Sequence, residues 1–130
     1  RYRHGRRRHF RKGVSMAIRM DIANGIATLA FSRPEKKNAI TAAMYQSLAD
    51  GLKAADADQA VRVIVITGDG GMFTAGNDLD DFLKHPPQGD DSAVVRFMNA
   101  LRTASKPVIA AVPGMSEELA QRVHAALQDR

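Results

Sequence analysis

An apolar run that stops abruptly at a group of glycines constrains this chain more than any other feature. Residues 63–67 read Val-Ile-Val-Ile-Thr, residues 68–71 read Gly-Asp-Gly-Gly, and residues 72–82 read Met-Phe-Thr-Ala-Gly-Asn-Asp-Leu-Asp-Asp-Phe. This pattern predicts a buried strand, a glycine turn and the start of a helix. The first backbone N–H groups of a helix lack partners within the helix, so they can face a developing negative charge. We therefore interpret the segment as a candidate oxyanion hole that requires no side chain.

The positive charge of the chain is concentrated at its beginning. Residues 1–15 hold seven of the 19 Lys and Arg residues and no acidic residue, which leaves 12 basic against 14 acidic residues elsewhere. The formal charge of +5 thus describes a basic leader, which we expect to be disordered, and does not favour a nucleic-acid-binding fold. The leader is sequence upstream of Met16 that is not native, or a loose match to a mitochondrial transit peptide, with nucleic-acid contact through its Arg residues, Tyr2 and Phe10 as a less favoured alternative. We expect a cytoplasmic location, or the mitochondrial matrix if the leader is a transit peptide.

The rest of the chain predicts one α/β domain. Asn24-Gly25 separates two alternating apolar runs and predicts a hairpin. Thr41 is a candidate cap of an amphipathic helix. A short helix from Asp78 or Asp80 to about Lys84, a loop or lid at 85–91, a second amphipathic helix around 94–101 and a strand at 108–112 follow. The apolar stripe of the first helix comprises Ile40, Met44, Leu48 and Leu52. Buried strands of this kind usually need covering on both faces.

Several kinds of chemistry have no support in the sequence. The chain contains no Cys, which excludes disulfides and thiolate catalysis. Its four His residues lack metal-ligand spacing, so we expect no metal site. The glycines at 68–71 match neither a dinucleotide fingerprint nor a P-loop. No apolar run is long enough to cross a membrane.

Four motifs in order resemble the N-terminal half of the crotonase superfamily, the enoyl-CoA hydratases and isomerases. They are Arg-Pro-Glu-Lys-Lys-Asn-Ala-Ile-Thr at 33–41, Val-Ile-Val-Ile-Thr-Gly at 63–68, Phe-Thr-Ala-Gly-Asn-Asp-Leu at 73–79 and Ser-Lys-Pro-Val-Ile-Ala-Ala-Val at 105–112. The resemblance covers about residues 16–114. With Asn at position 77, the motif at 76–79 resembles the isomerase branch more than the hydratases. The resemblance implies part of a spiral of ββα units that assembles as trimers or hexamers.

The resemblance also implies a site for an acyl-CoA thioester, with coenzyme A as part of the substrate and no separate cofactor. The backbone N–H of Asn77 matches the first oxyanion donor, so its side chain should not matter for that role. The residues expected to bind the substrate lie in the loop after residue 35 and in the strip around Asn77. They are Lys36, Lys37, Asn38, Ala39, Ala75, Gly76, Asp78 and Leu79.

The sequence departs from the family after Val112. The second oxyanion glycine and the acid/base glutamates of the family have no match here, and residues 115–130 instead predict a helix of another kind. Ser116 is its candidate cap, and Glu117 and Glu118 suit the first turn of a helix better than catalysis. The apolar stripe of this helix comprises Leu119, Val123 and Leu127. We interpret residues 115–130 as a substitute tail.

Two functions remain open from the sequence. The first is enoyl-CoA hydration or isomerisation by enolate stabilisation, impaired by truncation. The second is an inactive fragment or pseudo-enzyme that binds CoA esters. In either case we expect exposed apolar strand surface, so that the chain aggregates, oligomerises or uses the tail helix as a cover.

Overall fold

A computed structural model describes residues 17–128, which form four strands and four α-helices. The strands are β1 (Ile18–Ala23), β2 (Ile26–Phe31), β3 (Val63–Gly68) and β4 (Val108–Ala110). The helices are α1 (Ala42–Ala57), α2 (Leu79–Lys84), α3 (Ala93–Thr103) and α4 (Glu117–Gln128), with a short 3-10 helix at Pro34–Lys36. The predicted basic leader lies outside the described residues.

The strands form one mixed sheet in the order β1-β2-β3-β4. β1 and β2 are antiparallel, whereas β2, β3 and β4 are mutually parallel. Asn24 and Gly25 connect the antiparallel pair with φ angles of 54° and 79°, a conformation that suits these two residue types. The predicted hairpin is therefore confirmed. The parallel pairs require helical crossovers, and α1 provides the first of them.

The core lies between one face of the sheet and α1. Met44 and Leu48 are completely buried on α1, and they belong to the same core cluster as Leu29 and Ile64 of the sheet. The Thr41 hydroxyl accepts a hydrogen bond from the Met44 N–H at 3.2 Å, which confirms the predicted cap. α3 packs against α1 and extends this helical layer.

The opposite face of the sheet is only partly covered by residues 17–128. Ile26 and Ile109 alternate with core-facing residues and are 43% and 51% exposed. The expectation that the chain exposes apolar strand surface is therefore confirmed for this part of the chain. The physical reason is that α1, with α3 beside it, packs on the other face of the sheet.

The last strand is shorter than predicted. It ends at Ala110 instead of Val112, although the Ala111 N–H still donates to the carbonyl of Ile66 at 2.9 Å. Pro113 has no N–H to continue the ladder, so the pairing cannot extend past this point.

The tail forms the predicted helix α4. The Ser116 hydroxyl accepts a hydrogen bond from the Leu119 N–H at 3.1 Å, as expected for a cap. The apolar stripe is nevertheless exposed, by 46% at Leu119, 43% at Val123 and 62% at Leu127. The structure therefore does not use α4 as a cover for the core.

Candidate functional site

Two segments singled out in the sequence lie side by side. The Ala75 N–H donates to the carbonyl of Lys37 at 3.0 Å. The Ile40 N–H donates to the carbonyl of Gly76 at 2.8 Å, and the Asp78 N–H donates to the carbonyl of Ile40 at 2.9 Å. These bonds form a short parallel bridge that fixes the strip around Asn77 beside the start of α1.

Asn38 holds the glycine loop in place. Its side chain is completely buried, and Nδ2 lies 3.0 to 3.1 Å from the carbonyl oxygens of Asp69, Met72 and Phe73. Its Oδ1 accepts a hydrogen bond from the Arg33 N–H at 2.8 Å. Because these bonds use both ends of the amide, Asn38 shapes the site from within the fold and presents no polar group to a ligand.

The loop also explains the glycine at the end of β3. A Cβ atom at Gly68 would lie 2.0 Å from the carbonyl oxygen of Met72 and 2.5 Å from that of Phe73. Only a residue without a side chain allows the loop to fold back this closely. The abrupt stop of the apolar run at residue 68 is thus a packing requirement of the loop.

The backbone N–H of Asn77 is a candidate donor in this region. Within residues 17–128 it makes no hydrogen bond, whereas the N–H groups of its neighbours Gly76 and Asp78 are both used. The preceding Gly76 has φ of +99°, a conformation that other residues rarely adopt. The Asn77 side chain is exposed, and its Oδ1 accepts a hydrogen bond from the Tyr45 hydroxyl at 2.5 Å.

The start of α2 is already occupied by a carboxylate. Asp78 Oδ1 accepts a hydrogen bond from the Asp81 N–H at 3.0 Å, and Asp78 Oδ2 pairs with Arg33 Nη1 at 2.7 Å. These two contacts, the Asp81 N–H first, hold the pKa of Asp78 below its usual value. The Asp81 N–H is therefore not open to an oxyanion, because the Asp78 carboxylate caps it. The Asn77 N–H lies just outside the helix.

A mostly apolar cavity of about 490 Å³ lies between the sheet, α1 and α3. Most of its wall is aromatic or aliphatic, including Phe31, Ile66, Phe73, Phe97, Leu101 and Val108. A second cavity of about 290 Å³ lies between α1, α2 and the loop after α2, with Phe82, His85 and Pro86 in its wall. Ile40 and Tyr45 line both cavities, and Asn77 is joined to them through the Tyr45 hydroxyl.

Sequence reasoning missed Tyr45. It lies on α1 next to Met44, between positions of the apolar stripe, and its ring packs against Phe97 with the centroids 5.6 Å apart. Burial raises the pKa of the Tyr45 phenol. The only signal in the sequence was an aromatic residue at the edge of an otherwise aliphatic helix face.

Two of the remaining predicted binding residues, Lys36 and Asp78, line a polar cavity of about 270 Å³. The other charged residues in its wall are Arg33, Lys84, Asp80 and Asp81. The Ala39 carbonyl accepts a hydrogen bond from Arg33 Nη1 at 3.1 Å. Lys37, Ala75 and Leu79 do not line it and are exposed, Leu79 by 76%. Since Arg33 pairs with Asp78, the lysines are the cations here with the greater freedom to meet an anion.

Within the part of the chain that the structure describes, neither a metal site nor a membrane-spanning helix is present. No group of three His, Asp or Glu side chains there could hold a metal ion. Among residues 17–128, no helix has the length and apolar character needed to cross a membrane. Glu117 and Glu118 are exposed in the first turn of α4, where their negative charges interact favourably with the helix dipole.

Comparisons with known proteins agree on one family. Residues 21–118 match the family model for enoyl-CoA hydratase/isomerase. Human enoyl-CoA delta isomerase 2 is 38% identical over 98 residues, which are 70% of this chain and 25% of that protein. The 1,2-epoxyphenylacetyl-CoA isomerase of Escherichia coli K12 is 39% identical over 102 residues, which are 73% of this chain and 39% of that protein.

Solved structures give the same result. OdaA of Pseudomonas aeruginosa is 53% identical with a TM-score of 0.72, and the match covers 77% of this chain and 40% of that one. The chain thus spans between 25% and 40% of the length of these three relatives.

Proposed function

Since this chain belongs to the enoyl-CoA hydratase/isomerase family, we propose that it binds an acyl-CoA thioester with the thioester carbonyl at the backbone N–H of Asn77. The observation that carries the proposal is that this N–H makes no hydrogen bond within residues 17–128, beside a mostly apolar cavity. Removal of a proton next to the thioester carbonyl, or addition of water to the double bond, places negative charge on the carbonyl oxygen. A fixed N–H donor stabilises that charge.

The surroundings of Asn77 suit the two ends of such a substrate. Lys36 and Lys37 are exposed beside the strip 75–79, where their ammonium groups can meet the phosphates of coenzyme A. The surface between the lysines and the Asn77 N–H is formed by Ala39, Ala75, Gly76, Asp78 and Leu79. Asn38 stabilises the adjacent glycine loop through its buried amide. The cavity of about 490 Å³ can take the acyl group. Coenzyme A enters as part of the substrate, so the proposal needs no separate cofactor.

The reaction that fits this arrangement is hydration or isomerisation of an enoyl-CoA through an enolate-like state. We extend the proposal to a cytoplasmic location and to assembly as a trimer or hexamer. These features follow the family and rest on no contact within this chain.

A second candidate function, binding of CoA esters without turnover, is favoured by one observation. The carboxylate nearest to Asn77 in sequence, Asp78, is committed to Arg33 and to the Asp81 N–H. A base with these two partners is poorly disposed to take a proton, since both contacts stabilise its charged form.

Substitution of Asn77 tests the proposal directly. Asn77→Pro removes the backbone N–H, whereas Asn77→Ala keeps it and is the matched control. Calorimetry should show that the purified chain binds crotonyl-CoA more tightly than CoA, and that Asn77→Pro loses this preference while Asn77→Ala keeps it. If crotonyl-CoA hydration or 3-enoyl-CoA isomerisation is detected, Asn77→Pro should lower it by about 10²-fold or more.

The result that would contradict the proposal is equal binding of crotonyl-CoA and CoA by the unsubstituted chain. Ester binding without either reaction would favour the second function. Turnover that disappears when Glu117 and Glu118 are replaced would make the tail part of the site.

A further inference from the structure

Tyr45 stands between the two cavities beside the candidate oxyanion donor. Ile40 and Tyr45 are the two residues that line both the cavity of about 490 Å³ and the cavity of about 290 Å³. Ile40 cannot move aside easily, because its N–H and its carbonyl are both hydrogen bonded to the strip around Asn77. The ring of Tyr45 is therefore the part of the partition that a substitution can remove without disturbing the backbone.

Two contacts hold the Tyr45 ring in this position. Its hydroxyl donates to Asn77 Oδ1 at 2.5 Å, and its face is tilted by 52° against the ring of Phe97. A tyrosine with a partly buried ring and a hydrogen-bonded hydroxyl is a stiff element, since it has few rotatable bonds and both its ends are fixed. The Asn77 side chain, which we expected not to matter for the oxyanion role, holds the Tyr45 hydroxyl in place.

We propose that Tyr45 is a specificity-determining residue that separates the two cavities and so limits the length of the acyl group that the chain binds. This inference rests on the proposed binding of an acyl-CoA thioester at Asn77. An acyl group in the larger cavity ends against Tyr45 and Ile40. Without the phenol ring, the two cavities join and a longer acyl group can continue under Phe82 and the loop after α2.

The smaller cavity is suited to the far end of an acyl chain. Ala42, Phe82, Pro86 and Val94 give it apolar walls, and two of its polar side chains, Asp81 and His85, lie against each other. Asp81 accepts a hydrogen bond from the Ala42 N–H at 2.8 Å and lies 3.3 Å from His85 Nδ1. Methylene groups that enter this space leave water for an apolar surface, and each buried methylene should tighten binding by about threefold to fourfold.

The test compares the chain-length dependence of binding in three forms of the full chain. Calorimetry with CoA, butanoyl-CoA, octanoyl-CoA and hexadecanoyl-CoA gives the profile for the unsubstituted chain, Tyr45→Ala and Tyr45→Phe. Tyr45→Ala removes the ring between the two cavities. Its affinity for hexadecanoyl-CoA relative to butanoyl-CoA should therefore rise by about tenfold, the effect of burying roughly two further methylene groups. Tyr45→Phe keeps the ring but loses the bond to Asn77, so it should shift the profile in the same direction by about twofold to threefold.

The outcomes separate this inference from the function on which it rests. If esters bind and Tyr45→Ala has the profile of the unsubstituted chain, the inference is wrong and the proposed function stands. If no ester binds more tightly than CoA to any form, both are wrong. Should Tyr45→Ala fail to fold by circular dichroism, the comparison with Tyr45→Phe decides, because that variant keeps the packing against Phe97; an unchanged profile there overturns the inference.

Discussion

The region before residue 85 and the region after residue 107 differ in how they use their apolar residues. In the first region, Leu29, Met44, Leu48 and Ile64 are completely buried. In the second, every residue of α4 is exposed, including its apolar stripe. No buried side-chain nitrogen or oxygen of the described residues lacks a hydrogen-bond partner. The difference shows that one core, between α1 and the sheet, stabilises the fold, and that α4 adds little to it.

The limit of the family match coincides with this difference. The family model ends at residue 118, and α4 begins at Glu117. The strands that precede it belong to the matched part, yet Ile109 of β4 is half exposed. The packing of β4 is thus intermediate between that of the two regions.

Truncation of a leucine in each region should give the largest contrast. Leu48→Ala opens a cavity between α1 and the sheet and should lower the free energy of unfolding by about 2–5 kcal/mol. Leu127→Ala changes a side chain that is 62% exposed, so it should alter stability by less than about 0.5 kcal/mol. Urea unfolding followed by circular dichroism measures both values. Equal losses would mean that α4 is packed in solution.

Substitution of Asn38 measures how much its buried hydrogen bonds stabilise the first region. Asn38→Ala leaves the half-buried carbonyls of Asp69, Met72 and Phe73 without their donor and should lower the free energy of unfolding by about 2–3 kcal/mol. Lys37→Ala is the matched control, because Lys37 has nearly the same φ, 53° against 56°, but is exposed. The same urea experiment compares them. A loss at Lys37 as large as that at Asn38 would point to backbone strain and away from the buried hydrogen bonds.

The sequence predicted the elements of the first region well because their signals are local. The hairpin followed from Asn24-Gly25, and α1 from the cap at Thr41 and the spacing of Met44, Leu48 and Leu52. The crotonase-like α/β fold, which four ordered motifs suggested, is confirmed by the matching structures. Turn chemistry and apolar periodicity act over a few residues, so they can be recognised without tertiary structure.

The details of the site could not be predicted, because they depend on contacts between distant segments. Asn38 was predicted to bind the substrate, but its amide donates hydrogen bonds to carbonyls more than 30 positions away in the sequence. Asp78 was predicted to bind the substrate near the start of a short helix, but its pairing with Arg33 depends on the fold of the segments between them. The position of Tyr45 depends on the contact between α1 and the strip around Asn77, which lie 32 positions apart in the sequence.

Acid should weaken the link between the loop at Arg33 and the start of α2. The Asp81 N–H and then Arg33 lower the pKa of Asp78 in the folded chain, so the charged form contributes stability above its unfolded pKa of about 3.9. That contribution is lost as the pH falls through the lower pKa of the folded state. Asp78→Asn keeps a capping side chain but does not titrate.

The measurement is the difference in free energy of unfolding between Asp78→Asn and the unsubstituted chain from pH 7 to pH 3. The difference should be largest at pH 7 and should shrink below about pH 4. Asp80→Asn, which changes an exposed side chain in the same turn, should keep the pH dependence of the unsubstituted chain. A constant difference for Asp78→Asn would show that the Asp78 charge is not coupled to folding.

The smallest effect on stability is expected in α4, but its effect on association should be clear. Leu119→Ser combined with Val123→Ser removes two apolar side chains that contact no core in the structure, so the unfolding free energy should change by less than about 1 kcal/mol. Exposed apolar stripes favour association, and light scattering of the unsubstituted chain should therefore show a mass that rises with concentration. The double variant should reduce that rise. A concentration-independent monomer before substitution would contradict the exposure of the stripe, since it would require α4 to be covered within one chain. Association that is unchanged by the double variant would instead assign it to the open face of the sheet at Ile26 and Ile109.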